Sequence, residues 1–292
     1  MLALKPEDMV IDGTLGGAGH AQEIMRRIGP GGTFLGIDRD MQAIENFKVE
    51  VPGVRVITLQ ANYAQLPEIL EKLELPKADA LLLDLGFSSD QLQGRGLSFQ
   101  TDEPLLMTYD DQTPSLYDQL KGISEPKLIQ ILREYGEERY AKQIAKSIFE
   151  RVRGGKMQTT QDLVAAVQAA APQGSEHGRI HPATRTFQAL RIYANRELEH
   201  LKSILENLYS VLKPGGRVVI ISFHSLEDRI VKNYFREYAR GYRHSAGTGE
   251  LPNTGVHKST ASILTKKPMT ASREELARNA RARSAKLRAL QL

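Results

Sequence analysis

The chain has 292 residues, of which 41% are hydrophobic and 25% are charged, and its formal net charge is +4. This length exceeds the roughly 150 residues of a typical domain, so we expect one large domain or a domain carrying an insertion. The absence of cysteine excludes disulfides, thiolate zinc sites and a cysteine nucleophile. No apolar run approaches the roughly 18 residues of a membrane span, and the first residues do not resemble a signal peptide. We therefore expect a cytoplasmic protein without membrane attachment.

Short apolar runs alternate with amphipathic segments in the first part of the chain. Helical patterns at 21–28 and 41–48 separate the early runs. Strict alternation of strand and helix predicts an α/β fold with a mainly parallel, doubly wound sheet. The predicted strands are Met9–Asp12, Thr33–Asp38, 54–59, 80–85 and 217–223. The leucine-striped segment before the fifth strand predicts a helix that ends at the "KPGG" of residues 213–216.

More than 100 residues separate the fourth and fifth predicted strands, too many for one crossover helix. Ser124 is placed to cap a helix over 125–136, and Thr159 or Thr160 can begin another. An apolar stripe marks a third helix, carried by Tyr140, Ile144, Ile148 and Val152. We predict an all-helical domain at 103–180 that recognises substrate. It is inserted into a discontinuous α/β domain comprising 1–102 and 181–292.

The first predicted strand leads into "DGTLGGAGHA", residues 12–21, which begins a helix. Glycines at such a turn let the backbone approach a ligand, and the helix offers unpaired N–H groups. Asp38 ends the second strand, where its carboxylate can accept hydrogen bonds from ribose hydroxyls. Together the two signals favour a nucleoside cofactor. A tight structural turn is the alternative for the glycines alone.

The spacing of the glycines bears on which nucleoside is bound. A G-x-G-x-x-G dinucleotide motif is not met, because Gln22 occupies the position of the third glycine. S-adenosylmethionine needs a close backbone and polar groups rather than a pyrophosphate cradle, so the sequence favours it over a dinucleotide. Asp84 ends the fourth strand at the same sheet edge, where a methyltransferase places the residue that handles the nucleophile. Alternatively, Asp84 only caps the following turn.

The C-terminal segment 276–292 contains five basic residues and no acidic one. These are Arg278, Arg281, Arg283, Lys286 and Arg288. A segment of one charge sign favours a polyanionic partner such as nucleic acid. The alternative is a solvated helical tail.

Several longer motifs resemble one protein family, in family order and over nearly the whole chain. They are "DGTLGGAGH", "GIDRD", "LLLDLGFSSDQL", "RGLSF", "YGEERYAKQIA", "HPATRTFQALRI", "LKPGGRVVIISFHSLEDRIVK" and "NARARSAKLR". The chain resembles the RsmH/MraW family, S-adenosylmethionine-dependent enzymes that methylate the N4 amine of a cytidine in small-subunit (16S) ribosomal RNA. The resemblance implies a class I methyltransferase fold, Rossmann-like, with an inserted all-helical domain. It also implies ribosomal RNA as partner, within a ribosomal particle, and a homodimer.

The resemblance also implies roles for particular residues. The cofactor contacts would be Ala18, Gly19, His20, Asp38, Tyr63, Asp84 and Gln91. Asp84 is in addition the candidate catalytic residue. Candidate RNA contacts are His181, Arg185, His224 and Arg229. For Tyr63 a role as core aromatic stays open, as does a structural role for His224 and for the pair His181 and Arg185. No metal site is indicated.

Three departures from the family pattern generate expectations. The family's "HxPVLL" segment before the first strand is absent, which would leave an edge of the substrate cleft open. Ala18 replaces a glycine, which we expect to be tolerable only if its φ is negative. Leu106 and Thr108 replace an acid and an arginine in "PLLMTYD", residues 104–110, a change expected to weaken activity or alter the substrate.

Two rival functions stay open from the sequence. One is a nicotinamide-dependent oxidoreductase on a similar sheet, against which the missing third glycine argues. The other is a non-catalytic RNA-binding or ribosome-assembly factor that retains the cofactor fold, for which the altered 104–110 segment is the supporting feature.

Overall fold

The computed structural model describes residues 1–86, 94–170, 181–241 and 261–292. The chain divides into two compact units, one formed by Met1–Gly86 with Leu198–Leu292 and the other by Phe87–Glu197. We call them the α/β unit and the helical unit. The helical unit is wider at both ends than the predicted insertion at 103–180. The reason is that Leu97 and Phe99 on one side, and Phe187 and Leu190 on the other, pack into the same apolar core.

The α/β unit is built on one sheet with seven strands among the described residues. They are β1 (Met9–Asp12), β2 (Thr33–Asp38), β3 (Arg55–Gln60), β4 (Ala78–Asp84), β5 (Leu212–Ser222), β6 (Ser262–Ile263) and β7 (Lys286–Gln291), in the order β3-β2-β1-β4-β5-β7-β6. The first five strands are parallel, whereas β7 runs antiparallel to β5 and β6 antiparallel to β7. The predicted mainly parallel sheet is confirmed.

The helices follow in chain order. They are α1 (Gly19–Ile28), α2 (Met41–Glu45), α3 (Leu66–Lys72), α4 (Leu116–Lys121), α5 (Glu125–Gly136), α6 (Ala141–Arg153), α7 (Thr160–Ala170), α8 (Ala183–Asn195), α9 (Glu197–Glu206), α10 (Leu208–Val211), α11 (Ser225–Ala239) and α12 (Arg273–Arg278). Short 3₁₀ helices lie at Tyr63–Gln65 and Ala280–Ser284. In the described part of the chain no helix is both long and apolar enough to span a membrane.

The central strands bury both of their faces, as their continuous apolar sequences predict. Successive side chains point to opposite faces, so each strand contributes to two separate cores of the α/β unit. One core contains Ile11, Leu35, Leu81, Leu83 and Ile220, and the other contains Val10, Phe34, Ala80, Leu82 and Val219. Because both faces are covered, the open ends of the strands are where a ligand can reach the sheet.

The helical unit follows its sequence signals closely. Ser124 caps α5 by accepting a hydrogen bond from the N–H of Lys127, which confirms the predicted cap. The stripe on α6 is buried at Ile144, Ile148 and Val152, while Tyr140 lies just before the helix and is only partly buried.

The structure differs from the sequence expectations at two places. The helical stretch ends at Val211, just before the "KPGG" segment, but that segment already lies inside β5, which begins at Leu212. The C-terminal residues are not a solvated helical tail throughout, because β7 pairs with β5 inside the sheet. Arg288 on β7 is only 7% exposed, and its Nε lies 2.6 Å from Oδ1 of Asp228. In β7, Leu287 and Ala289 follow the charged residues Lys286 and Arg288. The strand that pairs with this segment, β5, is distant in the sequence, so the sequence alone did not indicate a strand here.

Candidate functional site

The candidate site is the turn after β1, at the point in the sheet where the strand order changes direction. β1 lies between β2 and β4, and the chain reaches those neighbours through crossovers on opposite sides. The turn is tied to both strands: the N–H of Gly13 donates to the carbonyl of Leu82, and that of Leu15 donates to Ile37. In open α/β sheets this is the position of the ligand crevice.

Gly13 explains why the turn is so close to its neighbours. A Cβ at this position would overlap Cδ2 of Leu83 and would be 3.2 Å from Cβ of Tyr63. A larger residue would push the turn away from β4 and from the 3₁₀ helix that carries Tyr63. The glycine therefore fixes the spacing between the first turn and the predicted adenine-side residue.

Ala18, predicted to contact the cofactor, lies just before α1 in the left-handed conformation, with φ 61° and ψ 12°. The expectation that alanine requires a negative φ here was wrong. A left-handed alanine costs roughly 1–2 kcal/mol relative to a right-handed one, an amount that the surrounding hydrogen bonds can offset. The N–H of Ala18 donates to Leu15, and its carbonyl accepts from Gln22. Gly19 and His20 then begin α1.

Asp38, at the end of β2, is buried and oriented by backbone donors. Its Oδ2 accepts from the N–H of Gly16 at 2.9 Å, and its Oδ1 accepts from Asp40 at 2.9 Å. Burial raises the pKa of Asp38, an effect that the N–H donors of Asp40 and Gly16 oppose. The carboxylate is thus held rigidly at the sheet edge, beside the glycine turn. An ionised carboxylate only accepts hydrogen bonds, so this group suits hydroxyl donors.

Asp84 ends β4 on the other side of β1. Its backbone N–H donates to the hydroxyl of Thr14 at 2.7 Å, and its Oδ1 accepts from Gly86 at 3.3 Å. Its Oδ2 lies 3.2 Å from Nε2 of His20. This hydrogen bond raises the pKa of His20, with burial opposing. The structure therefore brings together two predicted site residues, His20 and Asp84.

Asp12 is a member of this site that the sequence reasoning did not name. It is the last residue of β1 and only 1% exposed. Burial raises the pKa of Asp12 to about 7, and the N–H of Thr14 and the charge of His20 oppose this shift. The signal that could have found it is its position, since an acid that ends a central strand is brought to the ligand edge of the sheet.

Two predicted cofactor residues remain, Tyr63 and Gln91, and the structure describes only the first of them. Tyr63 lies in the 3₁₀ helix after β3 and packs against one core of the α/β unit, which agrees with the core role and leaves the adenine role a prediction. The 3₁₀ helix is fixed by Asn62, whose side chain accepts from the N–H of Ala64. Gln91 lies outside the described residues.

Of the predicted RNA contacts, His224 lies just before α11 of the α/β unit, and Arg229 lies within that helix. His224 caps this helix by accepting from the N–H of Glu227, and the backbone of Phe223 donates to the buried Glu227 carboxylate at 2.8 Å. Nε2 of His224 is 3.1 Å from Oε1 of Glu227, close but without the alignment of a hydrogen bond. The local geometry supports a structural role for His224. Arg229 is exposed.

His181 and Arg185 belong to the helical unit, at the start of α8. The imidazole of His181 accepts from the N–H of Ala183 and stacks on Phe99, with ring centroids 4.7 Å apart. Arg185 is half-buried. Both residues are thus placed on the surface side of the helical core, and an RNA role for them stays a prediction.

The altered segment 104–110 is held inside the helical unit. Asn195 donates to the carbonyl of Met107 at 2.8 Å and accepts from the N–H of Tyr109 at 3.0 Å. Thr108 is only 3% exposed, whereas Leu106 is half-buried. At Thr108 the departure from the family therefore falls on a buried position. Its effect on the substrate stays a prediction.

The basic segment divides into two parts. Lys286 and Arg288 lie on β7 and pair with Asp228, at 3.6 Å and 2.6 Å. Arg278, Arg281 and Arg283 lie on α12 and the following 3₁₀ helix, and all three are exposed. Arg288 is buried, and Lys286 is partly exposed but paired with Asp228, so we restrict the predicted polyanion contact to the second group.

The sheet order, with an antiparallel β7 beside β5, and the carboxylates around a glycine turn define the class I methyltransferase fold, which is Rossmann-like. A model of the MraW methylase family matches residues 1–292, and the chain belongs to that family. The family resemblance seen in the sequence is confirmed.

Two relatives illustrate the match. The chain is 44% identical over 293 residues to the ribosomal RNA small subunit methyltransferase H of Syntrophotalea carbinolica, covering 98% of this chain and 92% of the relative. It is also 44% identical over 296 residues to the protein of the same name from Geobacter sulfurreducens, covering 99% and 94%. Among solved structures, an rRNA methylase from Streptococcus thermophilus gives a TM-score of 0.38 at 10% identity, covering 99% and 88%.

Proposed function

We propose that the protein transfers a methyl group from S-adenosylmethionine to the N4 amine of a cytidine in small-subunit (16S) ribosomal RNA. Relatives that share 44% of its residues over nearly its whole length are named ribosomal RNA small subunit methyltransferases. The observation in the structure that carries the choice of methyl donor is the set of carboxylates around the glycine turn, from Asp12, Asp38 and Asp84.

The charge of this site suits a cationic ligand. Three carboxylates approach the turn, and His20 is the basic side chain that interacts with them. S-adenosylmethionine carries a positive sulfonium, which carboxylates attract, whereas the pyrophosphate of a nicotinamide dinucleotide carries negative charge that they repel. The residues present therefore fit the sulfonium donor. The negative charge of the site argues against the oxidoreductase alternative, as does Gln22 at the position of the third glycine of the dinucleotide motif.

In this proposal each residue holds one part of the donor. Asp38 binds the ribose hydroxyls, Tyr63 borders the adenine, and the backbone of Ala18, Gly19 and His20 faces the amino-acid end. Asp84 lies at the end of the neighbouring strand, where cofactor and substrate meet. Support for this assignment comes from the burial of Asp38 and from its fixation by the N–H groups of Gly16 and Asp40.

When bound, S-adenosylmethionine supplies a strongly electrophilic methyl group. The cytidine amine is a poor nucleophile because its lone pair is delocalised into the ring, so the protein must mainly hold the reacting groups in line. Orientation of this kind can contribute roughly 7–11 kcal/mol. Asp84 can accept a hydrogen bond from the amine and take up the released proton, directly or through water. Its contact with His20 holds the carboxylate in place.

The RNA is bound, in this proposal, by exposed basic side chains and by the helical unit. Arg278, Arg281 and Arg283 offer positive charge for phosphates. His181, Arg185, His224 and Arg229 stay candidate contacts to the RNA. A cytidine must leave its stack to reach the donor, which single-stranded or splayed RNA makes easier.

Four further predictions accompany this function and remain predictions. They are a cytoplasmic location, action on a ribosomal particle, a homodimer and the absence of a metal requirement. Purified protein stripped by a chelator, followed by activity measurement with and without added divalent ions, tests the last of these.

The test of the proposed function is transfer of labelled methyl from S-adenosylmethionine to small ribosomal subunits that lack the modification, followed by nucleoside analysis. We expect label in N4-methylcytidine. Asp38→Ala is the matched variant for the donor site, since it removes charge-assisted hydrogen bonds worth about 1.5–3 kcal/mol each. Its donor affinity, measured by calorimetry on folded protein, should fall.

Other outcomes lead to different functions. RNA binding without label would support the assembly-factor alternative, and stabilisation by NAD but not by S-adenosylhomocysteine would support the oxidoreductase. Label in a nucleoside other than N4-methylcytidine would keep the methyltransferase but overturn the proposed target. Unchanged donor affinity in folded Asp38→Ala would remove Asp38 from the site.

A further inference from the structure

Asp12 has an arrangement that the proposed reaction does not use. Its Oδ1 accepts one hydrogen bond, from the N–H of Thr14 at 3.2 Å. Its Oδ2 is buried and has no hydrogen-bond partner among the described residues. A buried polar atom without a partner is costly, so native proteins keep few of them, often at functional sites. The orphaned oxygen lies at the carboxyl end of β1, beside the glycine turn.

The groups that face Asp12 come from each element packed around it. They are His20 from α1, Asp38 from β2 and Asp84 from β4. The two acids disfavour a negative charge on Asp12, and the imidazole favours one. Burial is the largest influence, and it raises the pKa of Asp12 to about 7. In the protein without a ligand, Asp12 therefore keeps its proton to a higher pH than an exposed aspartic acid does.

We propose that Asp12 is a specificity-determining residue that makes the site prefer a sulfonium donor to the uncharged thioether product, by releasing its proton when the positive ligand binds. The inference rests on the proposed methyl donor. The step involves no covalent change in the ligand: the carboxylic acid of Asp12 becomes a carboxylate, and its proton passes to water. The new negative charge attracts the sulfonium but gains nothing from a neutral sulfur.

The direction of the pH effect follows from this exchange. Below neutral pH Asp12 is protonated, and binding the donor must remove that proton. Donor affinity therefore rises as the pH increases through about 7 and levels off above it. Affinity for the thioether should change little over the same range. Near neutral pH the product is then released in favour of fresh donor.

The experiment is calorimetry of S-adenosylmethionine and S-adenosylhomocysteine between about pH 5.5 and 8.5, in buffers of different ionisation enthalpy. Near pH 7 we expect release of a fraction of a proton with the donor and much less with the product, because burial raises the pKa of Asp12 to about 7. In Asp12→Asn the preference for donor over product should fall about tenfold above pH 7, the loss of one charge pair in a partly screened site. The number of protons released is compared between variant and wild type for each ligand, which removes the contribution from titration of the ligand itself.

His20→Gln is the matched control, because His20 is the histidine of this cluster and its hydrogen bond to Asp84 raises its pKa. Donor-specific proton release that persists in His20→Gln and is lost in Asp12→Asn supports the proposal. Release that persists in folded Asp12→Asn, or equal release with both ligands in the wild type, overturns it. If the donor does not bind the wild type at all, the proposed function fails instead, so the two failures are distinguishable.

Discussion

Buried carboxylates are treated differently in the two units of this protein. In the helical unit, Glu197 accepts two hydrogen bonds from Arg191, at 2.8 Å and 3.0 Å, and a third from Tyr109 at 2.8 Å. In the α/β unit, Asp12 has one backbone donor and an oxygen with no hydrogen-bond partner within the described part of the chain, close to other acids. The first arrangement satisfies a charge and holds a scaffold together. The second leaves a charge unsatisfied where a ligand can complete it.

Replacing the acid by its amide should therefore change the stability in opposite directions in the two units. The larger change in unfolding free energy is expected for Glu197→Gln. An amide at this position removes the carboxylate that pairs with Arg191, whose side chain is 14% exposed, and we expect a loss of up to about 3–5 kcal/mol of unfolding free energy. Denaturant unfolding measures it. The control in the same unit is Glu150→Gln, which removes an exposed pair with Lys146 and should cost less than about 1 kcal/mol. Equal losses in the two variants would contradict the comparison.

At the ligand edge, Asp84→Asn should act on the reaction more than on folding. An amide cannot take the proton of the amine, and general base contributions are typically about 10²–10⁴-fold in rate. We expect a mixed effect, with slower single-turnover methyl transfer at saturating donor as the larger part and weaker donor binding as the smaller. Asp79→Asn, at the opposite end of β4, is the control and should retain the rate. A normal rate for Asp84→Asn would show that Asp84 is not a chemical participant.

Asp12→Asn should stabilise the protein at alkaline pH. The folded-state pKa of Asp12 is about 7, above its ordinary value of 3.8, so folding favours the protonated form. The contribution of Asp12 to the unfolding free energy of the wild type is fully present at acidic pH, and it is lost as the pH rises through about 7. The asparagine avoids that loss, giving a gain of about 1–3 kcal/mol at pH 8 and almost none near pH 4. A variant less stable than wild type at pH 8 would contradict this sign.

The exposed arginines provide a third comparison, between solvated charge and the paired charge on β7. Replacing Arg278, Arg281 and Arg283 with glutamine should lower the slope of log RNA affinity against log salt by about 2, at roughly 0.7 per phosphate contact with single-stranded RNA. Filter binding across a salt series measures the slope. The control is Arg26 and Arg27 on α1, which pair with Glu23, replaced in the same way. A slope unchanged in the triple variant would remove these arginines from the RNA contact.

The smallest expected effect is at Ala18. Glycine relieves the left-handed strain but gives the unfolded chain more freedom, so Ala18→Gly should gain less than about 1 kcal/mol. Ala21→Gly, inside α1, should instead lose about 1 kcal/mol because glycine is a poor helix former. Thermal unfolding of the two variants compares them directly. A loss at Ala18 as large as that at Ala21 would show that the turn does not strain the alanine.

Much of the α/β framework could be predicted because its signals are local. Continuous apolar runs placed β1 and β2 at their observed bounds, and capping by Ser124 placed α5. The glycine turn and the acids at the ends of β2 and β4 were recognisable from their order in the sequence. The family motifs then indicated the cofactor class, which composition alone did not.

Other features depended on contacts between residues far apart in the chain. The sequence of β7 is short and one-third charged, and it becomes a strand only because β5 pairs with its backbone and Asp228 pairs with Arg288. The φ of Ala18 was set by its hydrogen bonds within the turn rather than by its own preference. The chain alone determined which acids reach the open edge of the sheet. Only the tertiary structure decided that Asp12 is buried there with an oxygen unpartnered among the described residues, because burial and like charge arise from packing rather than from sequence order.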